Sequence, residues 1–128
     1  MSGLVDQSAD ARSKTIGANF RVRAWVAFQG NASSNSDSTR TIRNSGNVSS
    51  VARNSSGTYD INFIQKPPSS DGYCAFVSGN INNSNNDGRR NERVIEWTQD
   101  SCKVITRNTG DNANSSEDFP YVNVIAIW

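Results

Sequence analysis

From Phe20 to Phe28 apolar and polar residues take turns. Phe20, Val22, Ala24, Val26 and Phe28 fall on one side, and Arg21, Arg23, Trp25 and Ala27 on the other. A period of two belongs to an extended strand with one apolar face; a helix would scatter the same residues around its circumference. Gly30–Ser38 is small and polar and predicts a loop, followed by a short strand at Thr39–Arg43. Ser45-Gly46-Asn47 signals a turn. Val48–Arg53 predicts the next strand, and Asn54–Gly57 turns the chain into Thr58–Ile64, where Tyr59, Ile61 and Phe63 share a face. Three short runs punctuated by turns predict an antiparallel meander.

The segment Lys66–Gly72 contains Pro67 and Pro68 and interrupts the sheet, because proline has no N–H to give to an interior ladder. Beyond it the pattern predicts a strand at Tyr73–Ser78, a long polar loop at Asn80–Asn91, and a hairpin of Arg93–Thr98 with Lys103–Arg107 around Gln99–Cys102. A second polar loop, Asn108–Asp118, leads through Pro120 to Tyr121–Trp128, the most continuously apolar run. A strand without a polar face is usually covered on both sides, which predicts a central strand or a subunit interface.

The sum is about eight short strands in an all-β, antiparallel β-sandwich, with no helical stripe and no repeat at a fixed period. The sandwich spans residues 19–128; residues 1–18, polar and without a sustained period, predict an extended N-terminal arm that tethers it. The expected core is Val22, Val26, Phe28, Val48, Ile61, Phe63, Val77, Val94, Val124 and Ala126.

Composition sharpens this reading. Serine and asparagine number 19 and 17 of 128 residues, enough to suggest disorder, but eleven aromatics and nineteen valines or isoleucines cluster into the short runs. A single leucine, Leu4, among so many β-branched residues favours strands over helices. No histidine is present, which excludes Ser-His-Asp and Cys-His catalysis, histidine-ligated zinc and a histidine pH switch. A net charge of +1 gives no general attraction to nucleic acid or anionic membrane. No apolar run is long enough to span a bilayer, and Met1–Asp6 lacks the pattern of a secretory signal.

The carboxylates Glu92, Glu96, Asp111, Glu117 and Asp118 read as solvated loop charges and surface ion pairs rather than as a facing glycosidase pair. Asn83–Gly88 places oxygen ligands at alternate positions like a calcium loop, but Val94 stands where the bidentate glutamate would be needed. No metal and no cofactor is expected. Five glycosylation sequons, at Asn31, Asn47, Asn54, Asn82 and Asn114, follow from the abundance of serine and asparagine. Cys74 and Cys102 lie on separate segments and read either as a disulfide between neighbouring strands or as two buried thiols.

Arg21, Arg23 and Trp25 share one strand face, and such a set serves either a nucleic acid or a protein interface. The neutral net charge favours the interface. With Ile125, Ile127 and Trp128 of the final strand they form the expected oligomer contact. Outward recognition is expected on the loops Asn31–Ser38, Ser69–Gly72, Asn80–Asn91 and Asn108–Asp118. Arg89 and Arg90, with Asn85 and Asp87, are the candidate receptor contacts, because guanidinium groups match acidic sugars or phosphates bidentately. The alternative is that both arginines pair with Glu92 or with a neighbouring subunit.

Phe20-Arg-Val-Arg-Ala-Trp-Val-Ala-Phe-Gln-Gly30 resembles the "RAWVNFNG" opening of a module found in tail-fibre and other appendage proteins of marine and cyanobacterial phages. Ile42–Val51 resembles that family's "IRASGNVSSI" segment, and Gly57–Phe63 its "GDYTVNF" segment. The similarity covers residues 12–79 well and the remainder weakly, with departures at Ala27, Gln29, the Asn31–Thr39 loop and the Asn80–Asn91 loop. It implies a non-enzymatic virion component, a tail-fibre or receptor-binding appendage, with a capsid-decorating knob or short capsid fibre as the nearest alternative and a lectin-like module as a more distant one. It also implies trimers at the ends or joints of fibres. The expected protein is thus a homotrimer assembled in the host bacterial cytoplasm, joined to other virion proteins through residues 1–18 and facing a host-surface glycan, with neither nucleic acid nor membrane insertion expected from its charge and short apolar runs.

Overall fold

The computed structural model describes residues 21–33, 38–80, 90–109 and 115–128. The described residues form nine strands: β1 (Val22–Ser33), β2 (Arg40–Gly46), β3 (Val48–Ser55), β4 (Thr58–Phe63), β5 (Cys74–Asn80), β6 (Arg90–Trp97), β7 (Ser101–Asn108), β8 (Ser115–Ser116) and β9 (Tyr121–Ile127). They make two sheets, in the orders β2-β1-β9-β5 and β3-β4-β7-β6, with β8 added to β7. Every pairing is antiparallel, and the sheets pack face to face as a β-sandwich.

Alternation makes the core. Ala24, Val26 and Phe28 of β1, Tyr59, Ile61 and Phe63 of β4, and Val122, Val124 and Ala126 of β9 point inward, joined by Val51, Cys102 and Val104. Burying a side chain of this size is worth about 1.5–3 kcal/mol each, so these rows hold the sheets together. Phe28 meets Tyr59 edge-on at one end, with centroids 5.1 Å apart. At the other end Phe63, Tyr73 and Trp128 form an edge-to-face trio with centroids 5.4 to 5.9 Å apart. Such edge-on arrangements suit the ring quadrupoles.

The expected core holds except at three positions. Val77 and Val94 are only partly buried against it, because β5 and β6 are edge strands. Val22 faces outward and is 55% exposed. The register explains it: Val22 pairs with Ile127 and Ala24 with Ala126, so two steps on β1 match one on β9. The bulge at Arg23 flips the alternation and turns Val22 to the outer side.

The expected meander is corrected. β3 and β4 do form a hairpin, but β2 belongs to the other sheet, where it pairs with β1. Asn47 lies between β2 and β3 with φ 57°, a left-handed conformation that asparagine tolerates. Its side chain accepts from the Gln65 N–H at 2.6 Å and donates to the Gln65 carbonyl at 3.0 Å, fixing the crossing between sheets. The β3–β4 turn uses Gly57 at φ 64°, where a Cβ would collide with the Thr106 carbonyl and the Glu117 backbone.

β1 runs on to Ser33 through the expected Gly30 loop, held by the Gly30 N–H on the Phe119 carbonyl at 2.8 Å. Both cysteines are free thiols. Cys102 is buried, and burial pushes its thiol up to about 12, whereas Cys74 is exposed, so the pair is neither the disulfide nor the two buried thiols expected from the sequence. The arm assigned to residues 1–18 lies outside the described residues.

Candidate functional site

The outer face of the first sheet collects the large apolar side chains that the core does not use. β9 is central, between β1 and β5, so its outward residues are flanked on both sides. Ile125 pairs with Trp25 on β1 and with Phe76 on β5, which sets the three in one row across three strands. They are 40%, 38% and 56% exposed, respectively. The next row is Val22, Ile127 and Cys74, brought into line by the β1 bulge. Directly opposed side chains on one sheet face lie within contact distance, so the two rows form a continuous apolar surface.

The rest of the face frames it. Gly46 pairs with Trp25, and its missing side chain leaves room for the indole, which a Cβ there would strike. Arg43 stacks over the outward Tyr121 ring at 4.0 Å and donates to the Pro120 carbonyl at 2.9 Å. Exposed Arg23 donates through Nε to the Trp128 carbonyl at 3.1 Å. Exposed Arg21 pairs through its backbone with Trp128. On the β5 side a hollow of about 390 Å³ is lined by Asp71, Gly72, Tyr73, Cys74, Phe76 and Ile127. The face is therefore basic along β1 and β2 and carries a carboxylate beyond β5.

Of the residues expected at an oligomer contact, Trp25, Ile125 and Ile127 come together here, with Arg21 and Arg23 at the rim. Trp128 does not join them, since its ring packs against Phe63 and Tyr73. Sequence reasoning misses Phe76 and the outward turn of Val22. Phe76 was within reach, because Ala75 and Val77 facing inward force it outward. The bulge at Arg23 has no local sequence signal.

Among the candidate receptor contacts, Asn85, Asp87 and Arg89 lie outside the described residues. Arg90 opens β6 opposite Asn108 and is partly buried.

The described carboxylates are dispersed. Glu96 pairs with Lys103, which also lies 3.9 Å from Asp60. Glu92 sits on the same strand as Glu96, where burial raises its carboxyl above the usual value against the opposing pull of its own backbone N–H and Arg90. Asp118 is not a solvated loop charge but a clamp. Its carboxylate accepts from the Tyr59 hydroxyl at 2.5 Å, the Gly57 N–H at 2.7 Å and Arg53 Nε at 2.9 Å. Burial pushes this carboxyl up, but the hydrogen bonds and the Arg53 charge outweigh it and hold it below its ordinary value. Burial, with the Asp118 carboxylate beside it, raises the Tyr59 phenol far above its usual range. Thr106 Oγ1 donates to the Glu117 carbonyl at 2.6 Å, so the whole segment before β9 is tied down.

Among the described residues no three metal-ligating side chains gather, and no helix is long and apolar enough to cross a membrane. Comparison with protein-family models, with curated proteins and with solved structures finds no match.

Proposed function

We propose that the protein is a non-enzymatic structural module of a phage virion, a tail-fibre or receptor-binding appendage subunit that assembles as a homotrimer through the outer face of its first sheet. The observation that carries the assembly is the row Trp25–Ile125–Phe76, three large apolar side chains exposed side by side on three adjacent strands. Contiguous apolar surface of this kind marks an interaction site. The three motifs at Phe20–Gly30, Ile42–Val51 and Gly57–Phe63, in the order of the phage appendage module, support the virion setting.

A head-to-tail contact closes into a ring where its rotation allows, and three is the smallest such ring. Covering a half-exposed side chain is worth on the order of 1 kcal/mol, against an association cost of at least about 4 kcal/mol. One row alone is therefore too little, and both apolar rows are covered together.

Purified phage particles provide the test. Quantitative mass spectrometry is expected to find the protein in particles at low copy number, in multiples of three, and to find Ile125→Glu chains left out. A copy number in the hundreds would move the module to the capsid surface. A protein found only free in the lysate would end the virion reading.

A further inference from the structure

We infer that the open edge of the sandwich holds a binding site for an uncharged pyranose sugar, built on Trp97, Tyr73, Ser70 and Asp71. It goes beyond the assembly role and centres on Trp97, off the Trp25–Ile125–Phe76 row, with Asp71 and Tyr73 standing between this site and the hollow beside Phe76.

The starting point is an inward position left uncovered. Trp97 pairs with Cys102, and paired residues on neighbouring strands point to the same side of a sheet. Cys102 is fully buried, yet Trp97 is 42% exposed. β6 is the last strand of its sheet, so no further strand covers the Trp97 side chain. Beside it lies a shallow, open cleft of about 410 Å³ lined by Ser70, Asp71, Tyr73 and Trp97.

The walls of the cleft are held in place without a ligand. The Tyr73 hydroxyl donates to the carbonyls of Thr98 and Ser101 at 3.0 and 3.1 Å, so its polar end is occupied and its ring forms the floor. Gln99 Nε2 donates to the Pro68 carbonyl at 2.7 Å and fastens the proline-containing loop to the β6–β7 turn. Lys66 pairs with Asp100 across the same junction, and the Gly72 N–H closes a turn onto the Ser69 carbonyl. Ser70 and Asp71 are thus carried on a braced loop opposite an indole, which keeps the entropy cost of binding low.

The chemistry selects the ligand. A pyranose has a face of C–H bonds and a rim of hydroxyls. The indole offers a flat apolar surface for the first, and Asp71 and Ser70 offer a charged acceptor and a hydroxyl for the second. The four lining side chains bring a carboxylate and no cation, so a sialic or uronic acid would be repelled. This is the opposite preference to that expected of the arginines at 89 and 90.

The experiment is a nuclear magnetic resonance titration of the full-length protein with methyl β-galactopyranoside, methyl α-glucopyranoside and methyl α-mannopyranoside, with N-acetylneuraminic acid as the charged comparison. At least one neutral glycoside is expected to shift the Trp97 indole N–H and the Ser70–Tyr73 amides saturably, leaving the Trp25 indole unmoved. Trp97→Ala is expected to weaken that binding about tenfold or more, and Asp71→Asn severalfold. Both residues are exposed, so both variants keep the fold, which their unshifted core resonances would verify. The same shifts are expected in the Ile125→Glu protein, so loss of assembly and loss of sugar binding are read separately. No saturable shift with any of the three glycosides, equal affinity in Trp97→Ala, or tighter binding of N-acetylneuraminic acid would overturn the assignment.

Discussion

On the outer side of the second sheet, Ala52, Asp60, Lys103 and Glu96 stand in one row across β3, β4, β7 and β6. Lys103 pairs with Glu96 and lies 3.9 Å from Asp60, which also accepts from Asn54 at 2.8 Å. One row over, Asn62 donates to Ser50 at 3.0 Å. On the outer side of the first sheet the corresponding row is Gly46, Trp25, Ile125 and Phe76. The backbone geometry is the same, and the two faces share one interior. What differs is that the polar face satisfies its own groups within the chain, while the apolar face leaves Trp25, Ile125 and Phe76 exposed. A sandwich needs one buried side per sheet, so the apolar row on the second side is surplus to the core, and the proposed assembly gives it a use.

That comparison can be broken at several levels. The largest expected effect lies in the shared interior. Phe63→Ala removes a ring packed against both Tyr73 and Trp128 and is expected to cost about 3–5 kcal/mol in urea unfolding, in a single transition. Two separated transitions would mean that the sheets do not share a core.

Next is the clamp that joins the segment before β9 to the second sheet. Asp118→Asn keeps the shape but loses the charge, and is expected to cost about 1.5–3 kcal/mol at neutral pH. The carboxyl is held below its ordinary value in the folded protein, so its contribution is full above that value and is lost as pH falls through the lowered one. Melting curves of the wild type and the variant should therefore converge in acid. A gap that persists at the acid end would mean that the amide fails sterically rather than electrostatically.

The smallest expected effect is on the polar face. Lys103→Met breaks an exposed ion pair at the centre of the row, and such pairs contribute little. The melting temperature is expected to move by no more than about two degrees, with no change in mass. If this variant self-associates, any apolar residue on a sheet face suffices, and the comparison loses its force.

Most of the fold was legible in the alternation of residues. The strands around Val22–Phe28, Val48–Arg53, Thr58–Phe63 and Tyr121–Ile127 follow from period-two patterns, and both the two-sheet architecture and most of the core come with them. The sheet assignment of β2 did not, because it depends on a left-handed Asn47 held by Gln65, a contact 18 residues away in sequence. Val22 was misplaced because a bulge is a property of a strand pair. Asp118 looked like one more loop carboxylate, and only folding brings it to Tyr59 and Gly57. Half of the apolar face was visible in Trp25, Ile125 and Ile127. Phe76 and the Trp97 cleft required knowing which strands are neighbours and which edge stays open.

The most direct test is the mass of the purified protein by sedimentation equilibrium at micromolar concentration. The predicted result is three times the 14.0-kDa chain for the wild type. Ile125→Glu should fall to a single chain with an unchanged circular dichroism spectrum, because a charge is forced into the covered face while the core is untouched. A wild type that sediments as one chain, or a trimer indifferent to Ile125→Glu, would contradict the assembly role of the first sheet's outer face.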